Sequence, residues 1–68
     1  MNKIMLRAFM LLHQDTAKDL ADWLNITEQS VLNKINEKGT EFKQGEIKRI
    51  RERYNLSPDE VDQIFFAE

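Results

Sequence analysis

Apolar residues recur at spacings of three and four almost throughout the chain, the period of amphipathic helices, and strand or hairpin signals are few. The pattern predicts five short helices. A first helix spans about Lys3 to His13, with Ile4, Met5, Leu6, Ala8, Phe9, Met10, Leu11 and Leu12 spread over nearly all its sides, more than one core can bury. Asp15 or Thr16 is placed to cap a second helix, whose stripe is Leu20, Ala21 and Leu24. Asn25 suits the left-handed residue that closes it, Ile26 turns inward, and Thr27 caps a third helix from Glu28 to about Asn36 with Val31, Leu32 and Ile35 on its apolar side. Glu37 to Lys43 reads as a loop containing Gly39 and anchored by Phe42. A fourth helix, about Gly45 to Tyr54, sets Ile47, Ile50 and Tyr54 against a solvated side of Lys48, Arg49, Glu52 and Arg53. The sharpest boundary is Ser57-Pro58-Asp59-Glu60, a serine cap, a proline in the first helical position and a glutamate three residues after the cap. Val61, Ile64 and Phe65 then form the inner stripe of the last helix.

Sixty-eight residues make one domain, 1–68, with a small core. The absence of cysteine excludes disulfides and thiolate metal sites. No apolar run approaches the roughly 20 residues that cross a bilayer, and no cleavable leader follows the first lysine, so a cytoplasmic protein without membrane contact is expected. Ten Lys and Arg against twelve Asp and Glu give a formal charge of −2, which weakens the general attraction for a polyanion and leaves the local face to decide.

The segment LADWLNITEQSVLNKIN, Leu20 to Asn36, sets two short helices about a tight turn. Ala21 is small enough for a close crossing, Leu24 and Ile26 bracket the turn, and Val31 with Ile35 pins the second helix. This segment, counted from Thr16 as 16–36, resembles the DNA-binding helix-turn-helix. LRAFMLLHQDT upstream, and SVLNKINEKGTEF with GEIKRIRERYNLSPDEV downstream, extend the resemblance over essentially the whole chain. It is to the phage Cro and repressor family, and in particular to small lysogeny-switch regulators of temperate phages of Gram-positive bacteria. The resemblance implies a lambda-repressor-like fold and a transcription regulator of a phage switch acting on double-stranded operator DNA in the bacterial host cell.

In that family the third helix enters the major groove. The matching outward residues here are Gln29, Ser30 and Asn33. Gln29 and Asn33 carry amides suited to adenine, Ser30 suits a base or phosphate, Lys34 a phosphate, and Thr27 both caps and touches the backbone. Arg7, Lys18, Lys38 and Lys43 are further positioning candidates. Several positions depart from the pattern. Ala17 stands where the family carries a phosphate-gripping glutamine, Asn25 replaces the turn glycine, Leu32 replaces a small polar residue, and Met10 a basic one. Asp15, Asp19, Asp22 and Glu28 also lie near the approaching face. Weak DNA binding by a lone monomer is expected.

Surplus apolar residues suggest a protein interface built from Met5, Phe9, Met10, Leu12 and Phe66. Its occupant is a second copy or a phage repressor, the latter making the chain a modulator or antirepressor that acts mainly through protein contact. Enzyme chemistry is not expected. His13, the only histidine, sits at a helix end where it suits the dipole, and Asp15, Asp19 and Asp22 suit a helix N-terminus better than a metal. Trp23 reads as edge packing, and neither a cofactor nor a small-molecule substrate is implied.

Overall fold

Four times along the chain a helix ends in the same way, on a residue other than glycine in the left-handed conformation. Gln14, Asn25, Glu37 and Asn55 have φ of 56, 59, 54 and 52°. In each case the next backbone N–H reaches back five residues, from Asp15 to Met10 (2.8 Å), Ile26 to Ala21 (3.0 Å), Lys38 to Asn33 (2.9 Å) and Leu56 to Arg51 (3.0 Å). These bonds satisfy carbonyls that a helix end leaves without partners. They cut the chain into short helices that fold back on one another.

The helices so defined in this computed structural model, which describes residues 1–66, are α1 (Lys3–Leu12), α2 (Ala17–Leu24), α3 (Glu28–Ile35), α4 (Gln44–Tyr54) and α5 (Pro58–Val61). The last runs straight into one wide π-helical turn, Asp62–Phe66. The described residues are all-helical in five α-helices, and the boundaries lie within one or two residues of those read from periodicity. The change to π winding after Val61 had no counterpart in the sequence reading.

Capping side chains start these helices. Asn2 Oδ1 accepts from Met5 N in α1. Thr16, rather than Asp15, caps α2, its hydroxyl accepting from Asp19 N at 3.2 Å while Asp19 accepts in return from Thr16 N at 2.9 Å. Thr27 Oγ accepts from Ser30 N at 3.1 Å, and Ser57 and Glu60 form the reciprocal pair expected of them.

The core joins Leu6 and Met10 of α1, Leu20, Ala21 and Leu24 of α2, Val31 and Ile35 of α3, and Ile47, Ile50 and Tyr54 of α4. Ile64 closes it from the π turn, and Asn2 N donates to Ile64 O at 2.7 Å, tying the start of α1 to that turn. α2 packs on both α3 and α4. Trp23 fastens the second of these contacts, donating from Nε1 to Arg49 O at 2.8 Å beneath the guanidinium groups of Arg49 and Arg53. Phe42 anchors its loop as expected, meeting Phe65 edge to face at 5.9 Å. No helix among the described residues is long and apolar enough to cross a membrane.

Candidate nucleic-acid interface

α2 and α3 are separated by three residues, Asn25, Ile26 and Thr27, and each has a mechanical part. Asn25 turns the chain through the left-handed region, Ile26 is half-buried against the core, and Thr27 caps α3. With Val31 and Ile35 fully inside, the opposite side of α3 faces solvent. Thr27 and Gln29 are exposed there, and Ser30 and Asn33 are half-buried beside them. These four form two linked pairs, since Thr27 Oγ1 donates to Ser30 Oγ at 2.8 Å and Gln29 Nε2 donates to Asn33 Oδ1 at 3.0 Å. The second bond fixes the direction of both amides and leaves the Gln29 carbonyl and the Asn33 amino group unused by it. That is one acceptor and one donor side by side, the complement of adenine N6 and N7.

Lys34 does not belong to this surface. It was expected to be free for a phosphate, but the residue is 7% exposed. Its Nζ donates to Glu46 Oε1 at 2.9 Å and to Glu41 O at 3.4 Å. The reason is its angular position, about 60° from Val31 on the side away from Ile35, which turns it towards α4 and the loop before it. Glu46 also accepts from Lys43 N at 2.8 Å. Burial pushes the Glu46 carboxyl up, but the Lys43 N–H and the Lys34 ammonium outweigh this and hold it below its ordinary value. Lys34 therefore fixes the end of α3 to the start of α4.

The other cations remain at the surface. Arg7 of α1 donates to Asn36 Oδ1 at 3.5 Å, which sets its guanidinium at the C-terminal end of α3. Lys38 and Lys43 are exposed on the following loop, and neither has a salt bridge among the described residues. Lys18 lies 3.5 Å from Asp22 one helical turn on, a weak pair between exposed groups.

Two acids expected to oppose DNA are engaged instead. The Asp15 side chain is 7% exposed and accepts from Arg53 Nε at 2.6 Å, Arg53 Nη2 at 2.7 Å and the Tyr54 hydroxyl at 2.7 Å. The Arg53 hydrogen bonds, more than the Tyr54 hydroxyl, hold its carboxyl below the ordinary value against the effect of burial. Burial and then Asp15 push the Tyr54 phenol up in turn. Arg53 thus leaves the solvated side of α4 to which periodicity assigns it. Asp19 is taken up by the Thr16 cap, whose backbone N–H and hydroxyl lower its carboxyl. Glu28 is exposed at the start of α3. His13 closes α1, its ring 4.9 Å from that of Tyr54.

The expected apolar interface is rearranged. Met10 is buried one turn after Leu6, and Met5 and Phe9 are half-buried against the core. Leu12 is 76% exposed, and so to a similar degree are Ile4 and Leu11, which are not among the expected interface residues. Phe66, 54% exposed, lies apart from them along a groove with Met1 and Phe42. Comparison with known proteins finds no matching family model, no similar curated protein and no similar solved structure.

Proposed function

We propose that the chain is a lambda-repressor-like helix-turn-helix regulator that recognises operator DNA in a phage-type genetic switch, working inside a bacterial host cell. α3 is the reading helix. The observation that carries this is the paired Gln29 and Asn33 amides, oriented outward on a helix whose other side is locked by Val31, Ile35 and the Lys34–Glu46 bridge. A reading helix needs such rigidity, because base discrimination depends on donors and acceptors held in place before contact. Thr27 and Ser30 at the helix start are suited to the flanking phosphate, and Arg7, Lys18, Lys38 and Lys43 supply the surrounding charge.

Four such cations imply about four phosphate contacts and a slope of log affinity against log salt of roughly −3 to −4. That is a modest electrostatic grip. Selection from a randomised duplex pool tests the reading. The purified chain should recover a defined motif, and Gln29→Ala with Asn33→Ala should lose it while keeping general salt-dependent binding. Recovery of the same motif by the double variant would remove α3 from the reading role.

A second reading, a modulator acting chiefly by binding a partner repressor, is favoured by Lys34 being withdrawn from the surface and by the exposed Ile4, Leu11 and Leu12. A chain that shifts no duplex alone, but does so once a repressor is added, fits that reading and not the first.

A further inference from the structure

α1 carries two apolar sides. Leu6 and Met10 enter the core, while Ile4, Ala8 and Leu11 recur on the far side at spacings of four and three with Leu12 beside them. Ile4 and Leu11 are each 78% exposed and Leu12 76%. At the helical repeat these four share an arc of about 100°. Half-buried Met5 and Phe9 continue the arc on one edge and Arg7 borders the other.

The charges of α1 show what such a face is suited to meet. Its first turn holds Lys3 and no acid, and its last turn holds no base. Lys3 therefore opposes the helix dipole, which favours anions at the start and cations at the end, and apart from His13 at the cap nothing complements it at the far end. Antiparallel pairing with an identical helix reverses this, because each Lys3 comes over the last turn of the other copy. The sequence of the face is also self-complementary in that direction. A two-fold axis through Ala8, midway between Ile4 and Leu12, sets Ile4 of one copy against Leu12 of the other, and the small Ala8 lets the helices approach at the crossing.

We propose that this face docks a second copy of the chain, α1 against α1, antiparallel about an axis at Ala8. None of its residues lies on α3, so the pairing does not depend on the operator-binding reading. The three exposed aliphatic residues offer on the order of 400 Å² per copy, and Ala8, Met5, Phe9 and the Lys3 stem add to it, against about 800 Å² per partner in a standard interface. The dimer is accordingly weak and reversible, with a dissociation constant on the order of 10 to 100 μM.

Sedimentation equilibrium from about 10 μM to 1 mM brackets that constant. The mass should climb from 8.1 kDa towards twice that value, and Leu11→Glu should keep it at the monomer with an unchanged helical spectrum. Because the chain has no cysteine, single substitutions report the orientation. Ala8→Cys should oxidise to a covalent dimer at least tenfold faster than Ile4→Cys, whose two copies lie about 12 Å apart along the axis at 1.5 Å per residue. A mass flat at the monomer over the whole range overturns the proposal, as does a dimer indifferent to Leu11→Glu. Faster cross-linking at Ile4→Cys overturns the antiparallel arrangement.

Discussion

Removing the Asp15 carboxylate perturbs the longest-range side-chain hydrogen bonds among the described residues. Asp15 lies between α1 and α2, and its partners Arg53 and Tyr54 end α4, 38 and 39 residues further on. Asp15→Ala leaves the phenol of Tyr54 buried without its acceptor, at about 1–3 kcal/mol. It also frees Arg53, whose side chain is 28% exposed and recovers part of its hydration, so the loss is below the 3–5 kcal/mol typical of breaking a fully buried pair. A total of about 2–3 kcal/mol is expected. At roughly 0.05–0.15 kcal/mol per residue the whole domain holds only about 3–10 kcal/mol, so Tm should fall by on the order of 10–20 °C. Asp15→Asn keeps an acceptor for Tyr54 and should cost about half as much.

Urea titration followed by the fluorescence of Trp23, packed where α2 meets α4, reads these changes. Acid gives an independent check. The folded Asp15 carboxyl lies below its ordinary value of 3.8, so near that pH the unfolded chain binds more protons and stability rises with pH. The contribution of Asp15 is complete above about pH 4 to 5 and is lost as pH falls through the lowered value. The deficit of Asp15→Asn against wild type should therefore shrink between pH 7 and pH 2. A deficit unchanged over that range, or an Asp15→Ala cost under about 0.5 kcal/mol, would refute the reasoning.

Lys34→Ala should lower stability by about 2 kcal/mol, because Glu46 loses its buried partner, yet leave the salt slope of DNA binding unchanged; a slope reduced by about 0.9 would mean that Lys34 meets a phosphate. Gln14→Gly should raise stability by about 0.5–1 kcal/mol, since Gln14 holds a φ of 56° that glycine adopts freely, and chemical denaturation decides whether it does. Arg7→Ala should weaken DNA binding and reduce the salt slope by about 0.9 with little change in Tm, and an unaltered slope would place Arg7 outside the contact.

Features encoded within a few residues were legible in the sequence. Thr27, the Ser57-Pro58-Glu60 start and Asn25 act through neighbours three to five positions away, so periodicity and capping chemistry suffice to find them. The same local logic did not choose between Asp15 and Thr16, because the choice depends on Arg53 and Tyr54 drawing Asp15 inward. Lys34 was misplaced for a similar reason. Its angle beside Val31 is readable, but whether a lysine there snorkels out or is captured depends on Glu46, brought close by the loop that Phe42 anchors. Neither Gln14 nor Glu37 favours the left-handed region, so residue type does not mark the conformation that closes these two helices. On α1, a wheel centred on Leu6 places Met10 inside and Ile4 and Leu11 outside, but with eight apolar residues the sequence does not say where to centre it.

Amide chemical shifts of the labelled chain, followed as it is titrated with a duplex carrying its selected motif, test the central claim most directly. The account predicts changes concentrated in Thr27 to Asn33, with Gln29 and Asn33 side-chain amides shifting most and α5 silent. Changes centred instead on the cationic side of α4, around Lys48, Arg49 and Arg51, with Gln29 and Asn33 unmoved, would contradict it.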